Sequence, residues 1–204
     1  MPKGKRVESH HRHRGDRRVT AGFDPGCYTT APHQTEGLIR FAGSPEEVFA
    51  RIANHPAMTE WVPLLKTVQV SHPQPLAPGE SMIGTSRVLA LRGGVTVREE
   101  IVYWNPPHGY AYTTEGKLWP LRNYVGFMGV QAGDGGGGIY VFREYFSVDG
   151  TLRRALVSQG IVILGRRALR NLSKLIGGTS ADFRHVPARP TEQPKPVGGS
   201  GGGG

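Results

Sequence analysis

The sequence predicts an α+β domain in which a curved antiparallel sheet of about seven strands wraps around one long C-terminal helix. Three observations carry that expectation. Apolar residues recur at a spacing of two through successive segments from about residue 67 to residue 147. The breaks between those segments are turn residues at short spacing, which favour an antiparallel meander. From Val157 onward the apolar period becomes helical.

In chain order, 34–42 reads as a strand, with Leu38 and Ile39 flanked by polar residues. Ser44-Pro45-Glu46-Glu47 is a helix start: Ser44 caps, Pro45 suits the first helical position and Glu47 completes a capping box. Val48, Phe49, Ile52 and Ala53 supply one apolar face, His55-Pro56 stops the helix, and a second short helix is expected over 58–61. The strand candidates that follow are 67–70, 82–91, 95–104, 109–115, 122–130 and 139–147. They are separated by Pro73/Pro75/Pro78-Gly79, Arg92-Gly93-Gly94, Asn105-Pro106-Pro107, Trp119-Pro120 and the run Asp134 to Gly138.

The last apolar series is Val157, Ile161, Leu164, Ala168, Leu172 and Leu175, with Arg166, Arg167, Arg170 and Lys174 on the opposite arc and Gly177-Gly178 as the stop. Gly165 lies on the apolar arc, where it reads either as close packing against the sheet or as room left for a ligand. One helix cannot fill a strongly curved sheet face. A helix-grip fold with a cavity between helix and sheet is therefore expected.

The organisation is read as a basic, His-rich disordered tail at 1–33, one ligand-binding domain at 34–178 and a Pro/Gly-rich disordered tail at 179–204. Neither tail has enough apolar side chains to offset the entropy of ordering its backbone. The net charge of +9 resides in the first tail and in 151–176, which has Arg153, Arg154, Arg166, Arg167, Arg170 and Lys174 and no acid. Between Leu38 and Gly150 the charges nearly balance. No nucleic-acid-reading motif accompanies the surplus, so a solvated tail and a weak contact of the last helix with anionic membrane are the expected partners of this charge, and no specific nucleic acid is. Cys27 is the sole cysteine, which excludes an internal disulfide. The N-terminus lacks an apolar signal region and the run 160–165 is too short to span a bilayer, so a cytoplasmic location is expected by default.

The segments 44–68 (SPEEVFARIANHPAMTEWVPLLKTV), 93–116 (GGVTVREEIVYWNPPHGYAYTTEG) and 138–146 (GIYVFREYF) resemble the polyketide cyclase/dehydrase and lipid-transport proteins of the START-related (SRPBCC) superfamily. The resemblance covers about residues 35–176. It implies the helix-grip fold and two kinds of function: a carrier or binding protein for a hydrophobic lipid, isoprenoid or polyketide-like molecule, or a cyclase/dehydratase that folds a polyketide-like chain and moves protons. A superfamily this broad fixes fold better than activity. A third class stays open, a membrane- or partner-binding module that uses the basic face of the last helix.

Strand parity then selects the pocket residues. Val95, Val97, Glu99, Ile101 and Tyr103 share one face, as do Tyr110, Tyr112 and Thr114, then Arg122, Tyr124, Gly126 and Met128, then Tyr140, Phe142, Glu144 and Phe146. Glu99, Glu144 and Arg122 are the candidates for acid/base work, with the alternative that the carboxylates pair structurally. Tyr103, Tyr110, Tyr112, Tyr124, Tyr140, Phe142, Trp61 and Gly165 are the candidate ligand-binding residues, and ordinary core is the competing reading for the tyrosines. No cofactor is expected. His10-His11-x-His13 lacks a second cluster to complete a metal site, and no metal is expected. The body lacks Gly-x-Ser-x-Gly and a Cys/His pair, which argues against a nucleophilic hydrolase.

Overall fold

From the second strand to the seventh, each strand pairs with the next in the chain, so the chain lays down a meander and then returns to its first strand. The structure, a computed structural model, describes residues 22–77, 79–114, 120–133 and 136–186. Its elements are β1 (His33–Phe41), α1 (Pro45–Ala53), a 3-10 turn (His55–Glu60), β2 (Leu65–Ser71), β3 (Ser86–Leu91), β4 (Thr96–Asn105), β5 (Gly109–Thr114), β6 (Leu121–Ala132), β7 (Gly138–Val148), α2 (Thr151–Leu175) and β8 (Gly178–His185). Among the described residues the strands form one curved antiparallel sheet in the order β2-β3-β4-β5-β6-β7-β1-β8. The fold class is as the sequence predicts, with one strand more.

That strand is β8, which the sequence reading assigned to a disordered tail. Only Phe183 in it is buried. The strand is fixed by pairing with β1 from Thr35↔His185 to Phe41↔Gly178, and by the Phe183 ring. A Cβ on Gly165 would lie 2.3 Å from that ring, and one on Gly37 2.9 Å from it. The two glycines, one on α2 and one on β1, thus form the seat of Phe183. Gly165 is a close-packing position, and the alternative of ligand space at that point is overturned.

Seating α2 on Phe183 also sets the helix phase. Leu169, Leu172 and Ile176 are buried, while Val157, Ser158, Ile161 and Val162 are half-buried. Leu164 and Leu175, expected on the inner face, are exposed, because the inner line runs through Gly165 and Leu169 instead.

The body also begins earlier than expected. Phe23 is 3% exposed and stacks on Phe127 across the outer sheet face, with ring centroids 4.7 Å apart and planes 5° from parallel. Tyr28, Tyr103 and Tyr145 complete this second aromatic cluster. The Thr29 hydroxyl donates to the Asn123 carbonyl at 2.7 Å and holds the segment on β6. The expectation of disorder for 1–21 and 187–204, and the His10-His11-x-His13 cluster, lie outside the described residues.

On the same outer face Glu36 accepts from Arg143 Nε at 3.0 Å and Arg184 Nη2 at 2.7 Å, tying β7, β1 and β8 together. At the start of α1, Ser44 Oγ accepts from the amides of Glu46 and Glu47, as the capping sequence requires. The 3-10 turn then carries His55 and Met58 inside, and Asn171 of α2 donates to the Trp61 carbonyl at 3.2 Å.

If residues 22–32 belong to the folded body, Phe23→Ala should cost about 3 kcal/mol in urea denaturation, within the range for a buried Phe. A loss below about 0.5 kcal/mol, the usual size for a surface change, would return this segment to the tail.

Candidate functional site

The site starts from the β3–β4 hairpin. Its turn, closed by Leu91 N–H donating to the Val95 carbonyl at 2.8 Å, sets the register that puts Arg87 opposite Glu99 on the concave face. Arg87 is fully buried, and its Nε donates to Glu99 Oε2 at 2.6 Å. Nη1 donates to His55 Nδ1 at 3.1 Å, and the guanidinium carbon stands 4.1 Å from the Tyr112 ring centroid, a cation–π contact. A charge so far from water is held only by a partner of opposite sign and by donors and acceptors aimed at it.

Burial, and then the neighbouring Arg87 charge, push the His55 pKa down to about 3, so the ring is neutral. Its Nδ1 accepts from a guanidinium that cannot accept, so the ring proton resides on Nε2. Among the described residues, neither that Nε2 nor Arg87 Nη2 nor Trp61 Nε1 has a hydrogen-bond partner. Three buried donors therefore stand on or beside one concave face without an acceptor, although buried polar groups are almost always paired.

A second polar centre lies on β7. Glu144 accepts from the Thr35 hydroxyl on one oxygen and from the Tyr124 hydroxyl on the other, the latter at 2.8 Å. Tyr112 links the two centres: its ring carries Arg87, and its hydroxyl lies 3.5 Å from that of Tyr124. Gly126 makes this possible, since a Cβ there would be 2.4 Å from the Tyr112 ring. Burial raises the carboxyl pKa of Glu99, with Arg87 opposing, and that of Glu144, with Thr35 and Tyr124 opposing. Burial likewise pushes the phenols of Tyr112, Tyr124 and Tyr140 well up, so they remain neutral donors.

Of the sequence-selected residues, Glu99, Glu144, Tyr110, Tyr112, Tyr124 and Tyr140 are buried on the concave side; Trp61 is buried in the same core and Phe142 is half-buried against Phe183. Tyr110 is satisfied by the core itself, donating to the Ile52 carbonyl at 3.0 Å. Two residues fall elsewhere. A bulge between Ile101 and Tyr103 reverses the parity of β4, so Tyr103 joins the outer cluster and Trp104 turns inward against Phe49 and Tyr110. A second irregularity between Arg122 and Val125, with Asn123 at φ 52°, turns Arg122 to solvent, where it pairs with Asp149 at 2.6 Å. Arg87, His55 and Thr35 were not selected from the sequence.

Half-buried apolar side chains remain around the main core: Val157, Ile161 and Val162 on the first half of α2, and Leu121, Phe142 and Val148 on β6 and β7. A cleft of about 860 Å³ opens nearby, between the N-terminal segment and the ends of β5 and β6, lined by Tyr28, Thr29, Thr113, Thr114, Leu121 and Tyr124 among others. Tyr124 thus borders the cleft while its hydroxyl holds Glu144. Among the described residues no group of His, Cys, Asp and Glu is arranged to hold a metal ion, and no helix is long and apolar enough to cross a membrane.

A curved antiparallel sheet gripping a C-terminal helix, with polar groups buried on the concave face, defines a helix-grip protein. The chain belongs to the polyketide cyclase/dehydrase and lipid transport family, whose model matches residues 32–177. An uncharacterized protein of Mycobacterium bovis is 30% identical over 77 residues, which is 38% of this chain and 43% of that one. One of Mycobacterium tuberculosis is 28% identical over 74 residues, 36% and 50% of the two chains. The matches thus span about half the length of these relatives.

Among solved structures, the protein XoxI from Bacillus cereus superposes with a TM-score of 0.54 at 22% identity, over 71% of this chain and 95% of that one. A conserved protein from Geobacillus kaustophilus gives 0.55 at 16% identity, over 74% and 99%. The di-domain ARO/CYC StfQ from the steffimycin biosynthetic pathway gives 0.56 at 14% identity, over 72% and 51%. At these identities the likeness is one of fold.

The raised pKa of Glu144 has a measurable consequence. The folded protein keeps this proton to a higher pH than the unfolded chain does. Stability from the neutral form is therefore present below the ordinary carboxylate range and is lost as pH rises through the raised folded value. Glu144→Gln carries no such proton. The stability advantage of the parent over Glu144→Gln should shrink as pH rises above the ordinary carboxylate range in urea denaturation. An advantage that grows with pH would mean that Thr35 and Tyr124 hold Glu144 ionised.

Proposed function

We propose that the protein is a binding or carrier protein for a hydrophobic small molecule of lipid, isoprenoid or polyketide-like class. The molecule is held between the concave sheet face and the first half of α2, with an oxygen acceptor turned toward Arg87. The observation that carries this reading is the buried Arg87 guanidinium, fixed by Glu99, His55 and Tyr112, with Nη2 left over as a donor. An apolar wall with a few convergent polar groups is what small-molecule sites usually present. The half-buried residues Val157, Ile161 and Val162 supply the apolar side. Membership of a family described by both cyclisation and lipid transport supports the ligand class.

A second reading, a cyclase or dehydratase acting on a polyketide-like chain, is favoured by Glu144. Its carboxyl is shifted toward the protonated form by burial, and a proton held at higher pH is what a general acid needs. Under that reading Glu144→Gln abolishes turnover of a polyketide-like substrate and leaves binding in place. A carrier has no turnover to lose.

Fluorescence titration with cis-parinaric acid tests the binding reading, because this probe joins an apolar chain to an oxygen acceptor. The parent protein should bind it. Val162→Trp, which adds bulk beneath the first half of α2 where the ligand is proposed to lie, should weaken binding at least about tenfold, a loss of roughly 1.4 kcal/mol, with little change in melting temperature. Absence of probe binding in both proteins, or equal binding in both, would contradict the proposal.

A further inference from the structure

The solvent side of α2 carries a feature that interior ligand binding does not use. Leu152, Leu156 and Ile163 are 76%, 64% and 60% exposed, values unusual for three large aliphatics on one helix. At 100° per residue they fall within a narrow arc. Arg167, Arg170 and Lys174, all exposed, continue the same arc along the second half of the helix. The outer ridge of α2 is therefore apolar at its N-terminal half and cationic at its C-terminal half.

No acid occurs in 151–176 to neutralise it, and the nearest preceding acid, Asp149, is paired with Arg122. The helix also begins at Gly150 without a side-chain cap and without an acid in its first turn, so no group of that turn offsets the positive end of its dipole. Lys174 alone would suit the C-terminal end of the helix dipole. Arg167, in mid-helix, gains nothing there.

A surface that offers aliphatics beside cations with no ion pair among the described residues complements a partner that is apolar in depth and anionic at its edge. We propose that the outer ridge of α2 docks on an anionic lipid surface, with Leu152, Leu156 and Ile163 entering the interface and Arg167, Arg170 and Lys174 meeting lipid phosphates. An interfacial helix of this kind lies along the membrane plane. The proposal does not depend on the occupancy of the interior. It does place the docking face on the helix whose other side faces the proposed cargo space.

The test is co-sedimentation of the full chain with vesicles of phosphatidylcholine alone and of phosphatidylcholine mixed with phosphatidylglycerol, at low and high salt. The parent should bind the anionic vesicles, more weakly at high salt. Leu156→Ser with Ile163→Ser should weaken binding at least about tenfold, and so should Arg167→Ala with Arg170→Ala and Lys174→Ala, each basic residue near such a surface being a substantial contributor. The apolar pair separates α2 from the basic N-terminal tail, which has no share in those two residues. All five positions are exposed, and circular dichroism checks that the fold persists. Binding unchanged in both variants would overturn the proposal. So would a Leu156→Ser/Ile163→Ser variant that alters self-association on gel filtration and not vesicle binding, since the ridge would then be a protein contact.

Discussion

A fully buried arginine sets the terms for the interior of this protein. Placing a guanidinium out of water is tolerable only with a carboxylate in contact and acceptors or aromatic faces around the rest of it. Glu99, His55 and Tyr112 supply these from β4, the 3-10 turn and β5, so one guanidinium on β3 brings four elements into contact. Tyr112 can lie where it does because Gly126 has no side chain, and its hydroxyl extends the polar line toward Tyr124 and Glu144. The concave face is thereby neither a plain apolar core nor an open polar groove. It is an aromatic wall with a fixed cation at one end and, at the other, a carboxyl whose pKa burial raises.

Much of the fold was legible because its signals are local. The Ser44-Pro45 cap, the period of two and the turn residues each specify conformation within a few residues, and the elements between β1 and α2 follow them. β8 was not legible for the opposite reason. Its only buried residue is Phe183, and its place in the sheet depends on pairing with β1, more than a hundred residues earlier, and on a seat formed by Gly37 and Gly165. A lone Phe between polar residues gives no period. The segment around Phe23 escaped notice in the same way: one ring, with its partners Phe127 and Tyr145 far along the chain.

The site was legible up to the bulges. Parity carried Glu99, Tyr112, Tyr124, Tyr140 and Glu144 to the correct face, and failed for Tyr103 and Arg122 because one irregular residue reverses every side chain beyond it. Arg87 had a usable signal. A turn centred on Gly93 pairs residues symmetrically about it, which sets Arg87 against Glu99, and opposite charges across a pair stabilise it. His55 had none, since its place beside Arg87 is set by the packing of the turn after α1. The proposed binding centre thus joins one residue that strand register reveals to one that only tertiary structure does.

Under the proposed function, the Arg87–Glu99 pair is kept to meet a ligand and is not required for folding. Replacing both with apolar residues of similar volume, Arg87→Met with Glu99→Leu, separates the two roles, because exchange of a whole buried ion pair is commonly neutral or stabilising. The measurement is cis-parinaric acid affinity of the double variant beside its unfolding free energy. Stability within about 1 kcal/mol of the parent, or above it, is expected, with affinity at least about tenfold lower. A double variant that keeps its fold and binds the probe as tightly as the parent would contradict the proposed function.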